Sequence, residues 1–155
     1  MTVDEGPSRE LPGAVLFACN FNRVRSPIAA ALMQLRFGDR VFVDSCGLKP
    51  AEGVDPFAAV VMDELGADLS WHQPKTFDDL EDSSFDLVIS LTAEAQHRAV
   101  ELARARAVEI EYWPMLDPTL ASGSRETMIE AYRAVRDALS ARIIERFGKA
   151  STFGG

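Results

Sequence analysis

Ala14-Val15-Leu16-Phe17-Ala18-Cys19-Asn20-Phe21-Asn22-Arg23-Val24-Arg25-Ser26-Pro27, residues 14–27, holds an apolar run, a polar turn and a helix start in that order. Ala14–Ala18 carries no polar residue on either face, which predicts a short strand buried on both sides. The turn that follows ends in Ser26, predicted as the N-cap, with Pro27 at the first helical position. Ile28, Ala31, Leu32 and Leu35 then recur at helical spacing, and Gly38 closes the segment.

Outward from this unit the same alternation repeats. Val41–Val43 reads as a second strand that ends at Asp44-Ser45-Cys46-Gly47. Asp55-Pro56 opens a second helix, with Val60, Val61 and Leu65 on its apolar face and Gly66 closing it. Phe85–Ser90 is a third strand, Thr92 caps a helix that runs to about Arg104, and Val108–Tyr112 is a fourth strand. In the last helix Met128, Tyr132, Val135, Leu139, Ile143 and Phe147 step by three and four. Strands separated by helices imply a doubly wound α/β fold: a four-stranded parallel sheet with helices on both faces. Asp68–Ser84 lacks clear periodicity and is expected over one edge of the sheet. The 155 residues suit one domain, at 13–148, between a polar leader (1–12) and a short tail (149–155).

Bulk properties narrow the function. The formal charge of −8 argues against a nucleic-acid partner, which needs a basic footprint. No apolar stretch approaches bilayer-spanning length, and the first residues lack the basic start and apolar run of a signal peptide. No membrane association and a cytoplasmic location are therefore expected. The chain has two cysteines, Cys19 and Cys46, which make neither a disulfide framework nor a zinc site. In a reducing cytosol a free thiol survives as a nucleophile.

The turn after the first strand is where that nucleophile would act. Ligands of α/β sheets bind outside the carboxyl ends of strands. A helix N-terminus presents unpaired N–H groups and a positive dipole end, and consecutive loop N–H groups wrap an anion. The same field favours the thiolate form of a cysteine beneath it. Arg25, at the far end of the loop, offers a two-pronged donor to phosphate oxygens. Alone at a strand end, Cys19 would read as a buried structural thiol. Followed by Arg25, Ser26 and Pro27, it reads as a nucleophile facing an anion clamp. Arg23 either adds a second contact to phosphate or substrate, or points outward and offers only its backbone.

On these residues, and on Asp117-Pro118 just before the last helix, the sequence resembles the low-molecular-weight protein tyrosine phosphatases over roughly residues 13–148. The resemblance implies the sheet order 2-1-3-4. It implies that Cys19 forms a phosphocysteine intermediate, Arg25 binds the phosphate, and Asp117 protonates the leaving oxygen and then activates water. Phosphate would lie in the cup formed by Asn20, Phe21, Asn22, Arg23, Val24 and Arg25. Asn22, Ser26, Ser45 and His72 would support the loop. The implied substrate is a phosphorylated protein, carrying phosphotyrosine, or a small phosphate ester. Thiolate, arginine and acid suffice for such chemistry, so no metal and no organic cofactor is expected. The oligomeric state is left open.

The chain departs from the family pattern in places that bear on substrate and reaction. Phe21 stands where glycine is usual, and Thr92 where an acidic residue often stands near His72. Val24 replaces a second loop cysteine that protects the nucleophile, leaving Cys46 as either its substitute or a buried bystander. Thr119-Leu120 replaces the aromatic pair that follows the acid, so Phe21, Trp113 and Trp71 become candidates for an apolar wall. Arsenate reductases share the fold, and the thioredoxin-coupled ones use further cysteines after the third strand, where Phe85–Arg106 has none. The alternative is thus an arsenate reductase that uses an external thiol donor. A non-catalytic phosphate-binding module is a third reading, against which stands the presence of Asp117 beside Cys19 and Arg25. Asp117-Pro118 by itself would read as a turn, and His97 as a solvated helix residue.

Overall fold

Six consecutive buried residues, Ala14–Cys19, form β1, which has a strand on each side. The computed structural model describes residues 11–49, 51–80 and 84–148. The expected leader and tail lie outside these, save for Leu11 and Pro12, and Leu11 packs against the core. β2 is Phe42–Gly47, β3 Leu87–Ser90 and β4 Glu109–Tyr112. All pairings are parallel and the order is β2-β1-β3-β4, as the resemblance implies.

Alternation along β1 divides the core in two. Val15, Phe17 and Cys19 belong to a cluster with α1 (Arg25–Phe37), α2 (Pro56–Asp63) and α4 (Arg125–Phe147). Ala14, Leu16 and Ala18 face the other way, toward α3 (Ala93–Ala105), together with Cys46. Cys46 pairs with Ala18 across the β1–β2 ladder, so the two sulfurs start from opposite faces of the sheet.

The last helix lays Ile129, Tyr132, Val135, Leu139, Ile143 and Phe147 on the sheet, with Met128 only half-buried. Ser124 caps it by accepting from the N–H of Thr127 at 3.1 Å. Arg136, buried to 8% exposure, donates to the Val61 carbonyl at 2.9 Å and to Glu64 at 2.8 Å, tying α4 to the end of α2. Asp55 and Thr92 cap α2 and α3 as expected.

Three local expectations are corrected. Ser26 does not cap α1: the helix begins at Arg25 with Val24 at the cap position, because the Ser26 hydroxyl is drawn into the loop. β2 is not confined to Val41–Val43 but runs from Phe42 to Gly47, since pairing with β1 continues to Cys19↔Gly47 and satisfies its backbone. Leu35 and Leu65 are exposed, so the apolar faces of α1 and α2 are narrower than their spacing suggested. The stretch after α2 does cover the β2 edge: Thr76 bridges to Gly47, and Phe77–Asp79 forms one 3-10 turn.

Leu139 is fully buried between α4 and the sheet. Leu139→Ala should cost about 2–5 kcal/mol of unfolding free energy. It should appear as a lower urea midpoint with an unchanged slope.

Candidate active site

β1 stops at Cys19 and α1 starts at Arg25, and four of the five residues between them turn their carbonyls outward to partners. The Asn20 carbonyl accepts from the N–H groups of Leu48 (2.8 Å) and Lys49 (3.0 Å). The Asn22 carbonyl accepts from His72 Nε2 at 2.9 Å, and that of Arg23 from the Asp55 N–H at 3.2 Å. The Val24 carbonyl accepts from the Ile28 N–H at 3.1 Å. A trans peptide points its N–H opposite to its C=O. The N–H groups of Phe21, Arg23, Val24 and Arg25 are therefore turned inward, at the mouth of the α1 N-terminus. This is the geometry of an anion cup.

Asn22 fixes that shape. Its φ is 55°, the left-handed region that asparagine tolerates better than most residues. Its side chain is fully buried: Nδ2 donates to Ser26 Oγ and to Ser45 Oγ, both at 2.9 Å. Its Oδ1 accepts from the Lys75 N–H at 2.9 Å. Lys75 is itself held by Asp44 at 2.7 Å, and its carbonyl accepts from the Gly47 N–H. His72 is buried, which pushes its pKa below the ordinary value; the Lys75 charge acts the same way, while the bond to the Asn22 carbonyl and the charge of Asp44 oppose it. Because a carbonyl oxygen only accepts, His72 carries a proton on Nε2 in this bond.

Cys19, Phe21, Arg23, Val24, Arg25, Asp117 and Thr119 line one cavity of about 200 Å³. Cys19 Sγ lies 2.9 Å from Ser26 Oγ, and the same hydroxyl is 3.3 Å from the Cys46 carbonyl. Ser26 has one proton to donate. With a thiolate at Cys19, that proton turns to the sulfur and the longer bond is relinquished. Arg25 donates to the Met115 carbonyl at 3.1 Å, and its other terminal nitrogen is 3.9 Å from Asp117 Oδ2. That bond draws the 115–119 segment over the cup. Asp117 Oδ1 accepts from the N–H (3.0 Å) and hydroxyl (2.6 Å) of Thr119, leaving Oδ2 toward the cavity side.

Other predicted residues fall elsewhere. Trp113 does not wall the site: it is buried in the core, edge-on to Phe17 at 6.1 Å. Trp71 is exposed and lines a separate hollow behind the loop, so of the three aromatic candidates only Phe21 reaches the cavity. Cys46 is fully buried beneath α3, and desolvation raises its pKa far above the usual thiol range. His97 is exposed. Arg23 turns its guanidinium to Asp55 at 2.9 Å, while Tyr132 donates to the same Asp55 oxygen at 2.9 Å. Thr92 donates to Asn20 Oδ1 at 2.7 Å. Asp55 had shown only its capping signal, and the atoms that Lys75 offers to Asn22 and Met115 to Arg25 belong to the backbone, which leaves no mark in sequence. Among the described residues no cluster of three or more His, Cys, Asp or Glu is placed to hold a metal.

Two outcomes test this loop. A Cβ on Gly47 would lie 2.7 Å from the Asn22 nitrogen and 2.9 Å from the Asn20 oxygen. Gly47→Ala should therefore displace the cup and weaken inorganic phosphate binding about tenfold or more, the loss of one or two charge-assisted bonds; calorimetry reads it. His72 takes up a proton more readily in the unfolded chain than in the folded one. Its contribution to stability is then complete above pH 6.5 and drains away as the pH falls below that value. Urea midpoints measured against pH should show this decline, and His72→Gln should flatten part of it.

Comparisons with known proteins place this geometry. An arsenate reductase of Halalkalibacterium halodurans is 33% identical over 129 residues, covering 83% of this chain and 91% of that protein. Among solved structures, the YwlE arginine phosphatase of Geobacillus stearothermophilus superposes with a TM-score of 0.72 at 28% identity, covering 88% of this chain and 91% of that one. An arsenate reductase in its oxidised state gives 0.71 at 26% identity, covering 90% and 99%. The sequence model of the low molecular weight phosphotyrosine protein phosphatases matches residues 14–149, and the chain belongs to that family.

Proposed function

We propose that this protein hydrolyses phosphate monoesters through a phosphocysteine intermediate, with phosphorylated protein, in particular phosphotyrosine, as the leading substrate. The observation that carries the reading is the meeting of Cys19, Arg25 and Asp117 at one cavity whose loop turns its N–H groups inward. The Cys19 thiolate attacks phosphorus, a P–S bond forms and the ester P–O bond breaks. Asp117 gives its proton to the departing oxygen. The resulting carboxylate then takes a proton from water, which attacks phosphorus and returns phosphate and the thiolate. Arg25 and the loop N–H groups hold the equatorial oxygens throughout. Asn22, Ser45 and His72 keep the cup in shape, and Ser26 stabilises the sulfur anion when it leaves. The chemistry needs a reduced thiol, which supports a cytoplasmic setting. Among the described residues no helix is long and apolar enough to cross a membrane.

A second reading has the stronger support from relatives, because curated proteins 30–33% identical to this chain are named arsenate reductases. Cys19 would attack arsenate and form an S–As bond as an As–O bond breaks and its oxygen leaves as water, protonated by Asp117. A second thiol would attack Cys19 Sγ, form a disulfide, and release arsenite with the electron pair of the broken bond. Cys46, on the far face of the sheet, is badly placed to be that thiol, and the chain has no third cysteine. The donor would have to be external, and a second external thiol would restore Cys19.

Cys19→Ser should abolish both activities. For hydrolysis, Asp117→Asn should lower kcat by about 10²–10⁴-fold, most with poor leaving groups, and flatten the pH profile. A panel of p-nitrophenyl phosphate, phosphotyrosine, phosphoarginine and arsenate with a thiol donor separates the readings. Arsenite release without phosphate release from any ester would replace the first by the second.

A further inference from the structure

A long hollow among the described residues adjoins the catalytic cavity at a shared wall. It has a volume of about 1140 Å³ against about 200 Å³ for the catalytic cavity, and Asp117 lines both. One side is the segment around the acid, where Leu116 (85% exposed) and Leu120 (80%) stand in solvent. The other side is a face of α4 carrying Ala131, Ala134, Ala138 and Ala141. Beyond Asp117, charge enters the lining only at Arg142 and Glu145, toward the far end of the groove.

We propose that this groove receives an apolar polypeptide segment adjacent to the phosphorylated residue of the substrate. The proposal rests on the hydrolase reading and names its substrate class. Protonation of the leaving oxygen by Asp117 requires the leaving group to lie against that residue. Whatever continues beyond the leaving group has the groove directly beside it. Length favours a peptide over a small molecule: Ala131 to Glu145 spans about 20 Å of helix at the usual rise. An extended chain covers that in about six residues. The hollow also exceeds the roughly 300–1000 Å³ typical of small-ligand pockets. Composition sets the chemistry, because methyl and isobutyl groups line it and contact with water is lost when apolar side chains cover them. The net charge of −8 disfavours acidic segments. A free oxyanion such as arsenate has no leaving group to place there.

The test pairs two phosphotyrosyl peptides of equal length and charge, one flanked by leucine and isoleucine, the other by glycine and serine. Binding is measured by fluorescence anisotropy in the Cys19→Ser background, which does not turn the peptides over. The apolar peptide should bind about tenfold more tightly, as burial of one or two side chains would give. Ala134→Glu with Ala138→Glu, both on the exposed face of α4, should erase that preference; helix propensity is nearly unchanged. In the Cys19 protein the same pair of substitutions should leave p-nitrophenyl phosphate turnover intact. Equal binding of the two peptides, or a preference that survives both substitutions, would overturn the proposal. So would a dimer in sedimentation that these substitutions dissociate while the peptide preference persists, which would assign the groove to a second copy of the chain. Ester turnover without a preference removes the groove alone. A preference without any ester turnover removes the hydrolase reading and leaves the groove.

Discussion

A buried asparagine held in the left-handed region is the constraint on which the site depends. For a residue with a Cβ that conformation costs about 1–2 kcal/mol, and burying an amide without partners would cost more. Asn22 recovers both through its contacts with Ser26, Ser45, the Lys75 N–H and His72. The left-handed residue lets the chain reverse between Cys19 and Arg25 with its carbonyls facing away from the cavity. Without the reversal the carbonyls would repel an anion; with it, the N–H groups attract one.

Those partners are supplied by elements distant in sequence, which explains why the fold is arranged as it is around this loop. Ser45 comes from β2, the edge strand. Lys75 and His72 come from the segment that covers that edge. Ser26 comes from the first turn of α1. On the opposite side Asp55 receives Arg23 and Tyr132 together, so the loop is also fastened to α2 and α4. The 115–119 segment joins through Arg25, whose bond to the Met115 carbonyl brings Asp117 to the cavity. Cys19, Arg25 and Asp117 are thus positioned by hydrogen bonds between elements that the hydrophobic core has already fixed.

Much of this architecture was legible in the sequence because it is written in local patterns. An apolar run, a helical period and an Asp-Pro pair each carry their own signal, and they located the strands, the helices and the segment bearing Asp117. The readings that failed are those where a polar side chain serves something distant. Ser26 looked like a helix cap because serine before proline usually is one; its hydroxyl instead lies between Cys19 and Asn22. Asp44 and Ser45 looked like the end of a strand because they are polar, yet β2 continues through them and uses them to hold Lys75 and Asn22. Trp113 looked like a possible wall because of its place near the acid, but the ring fills the space between Phe17 and Phe147. The backbone bonds of Lys75 to Asn22 and of Met115 to Arg25 were illegible, since any residue at those positions has the same backbone atoms.

The register of β2 against β1 connects support of the loop with the redox character of the chain. Side chains alternate across a sheet, so of two consecutive residues one must face each way. Ser45 pairs with Phe17 and faces the side of Cys19, where it meets Asn22. Cys46, one residue on, pairs with Ala18 and must face α3. A disulfide requires the two Cβ vectors to converge, and here they start from opposite sides of the sheet. A slip of one residue would bring Cys46 round to Cys19, but it would turn Ser45 away from Asn22 and bury a serine among Leu16, Ala18 and Val88. The register that completes the anion cup is therefore the register that keeps the second sulfur apart from the first. Oxidative protection of Cys19, and any reductive cycle through it, would have to draw on a thiol from outside the chain.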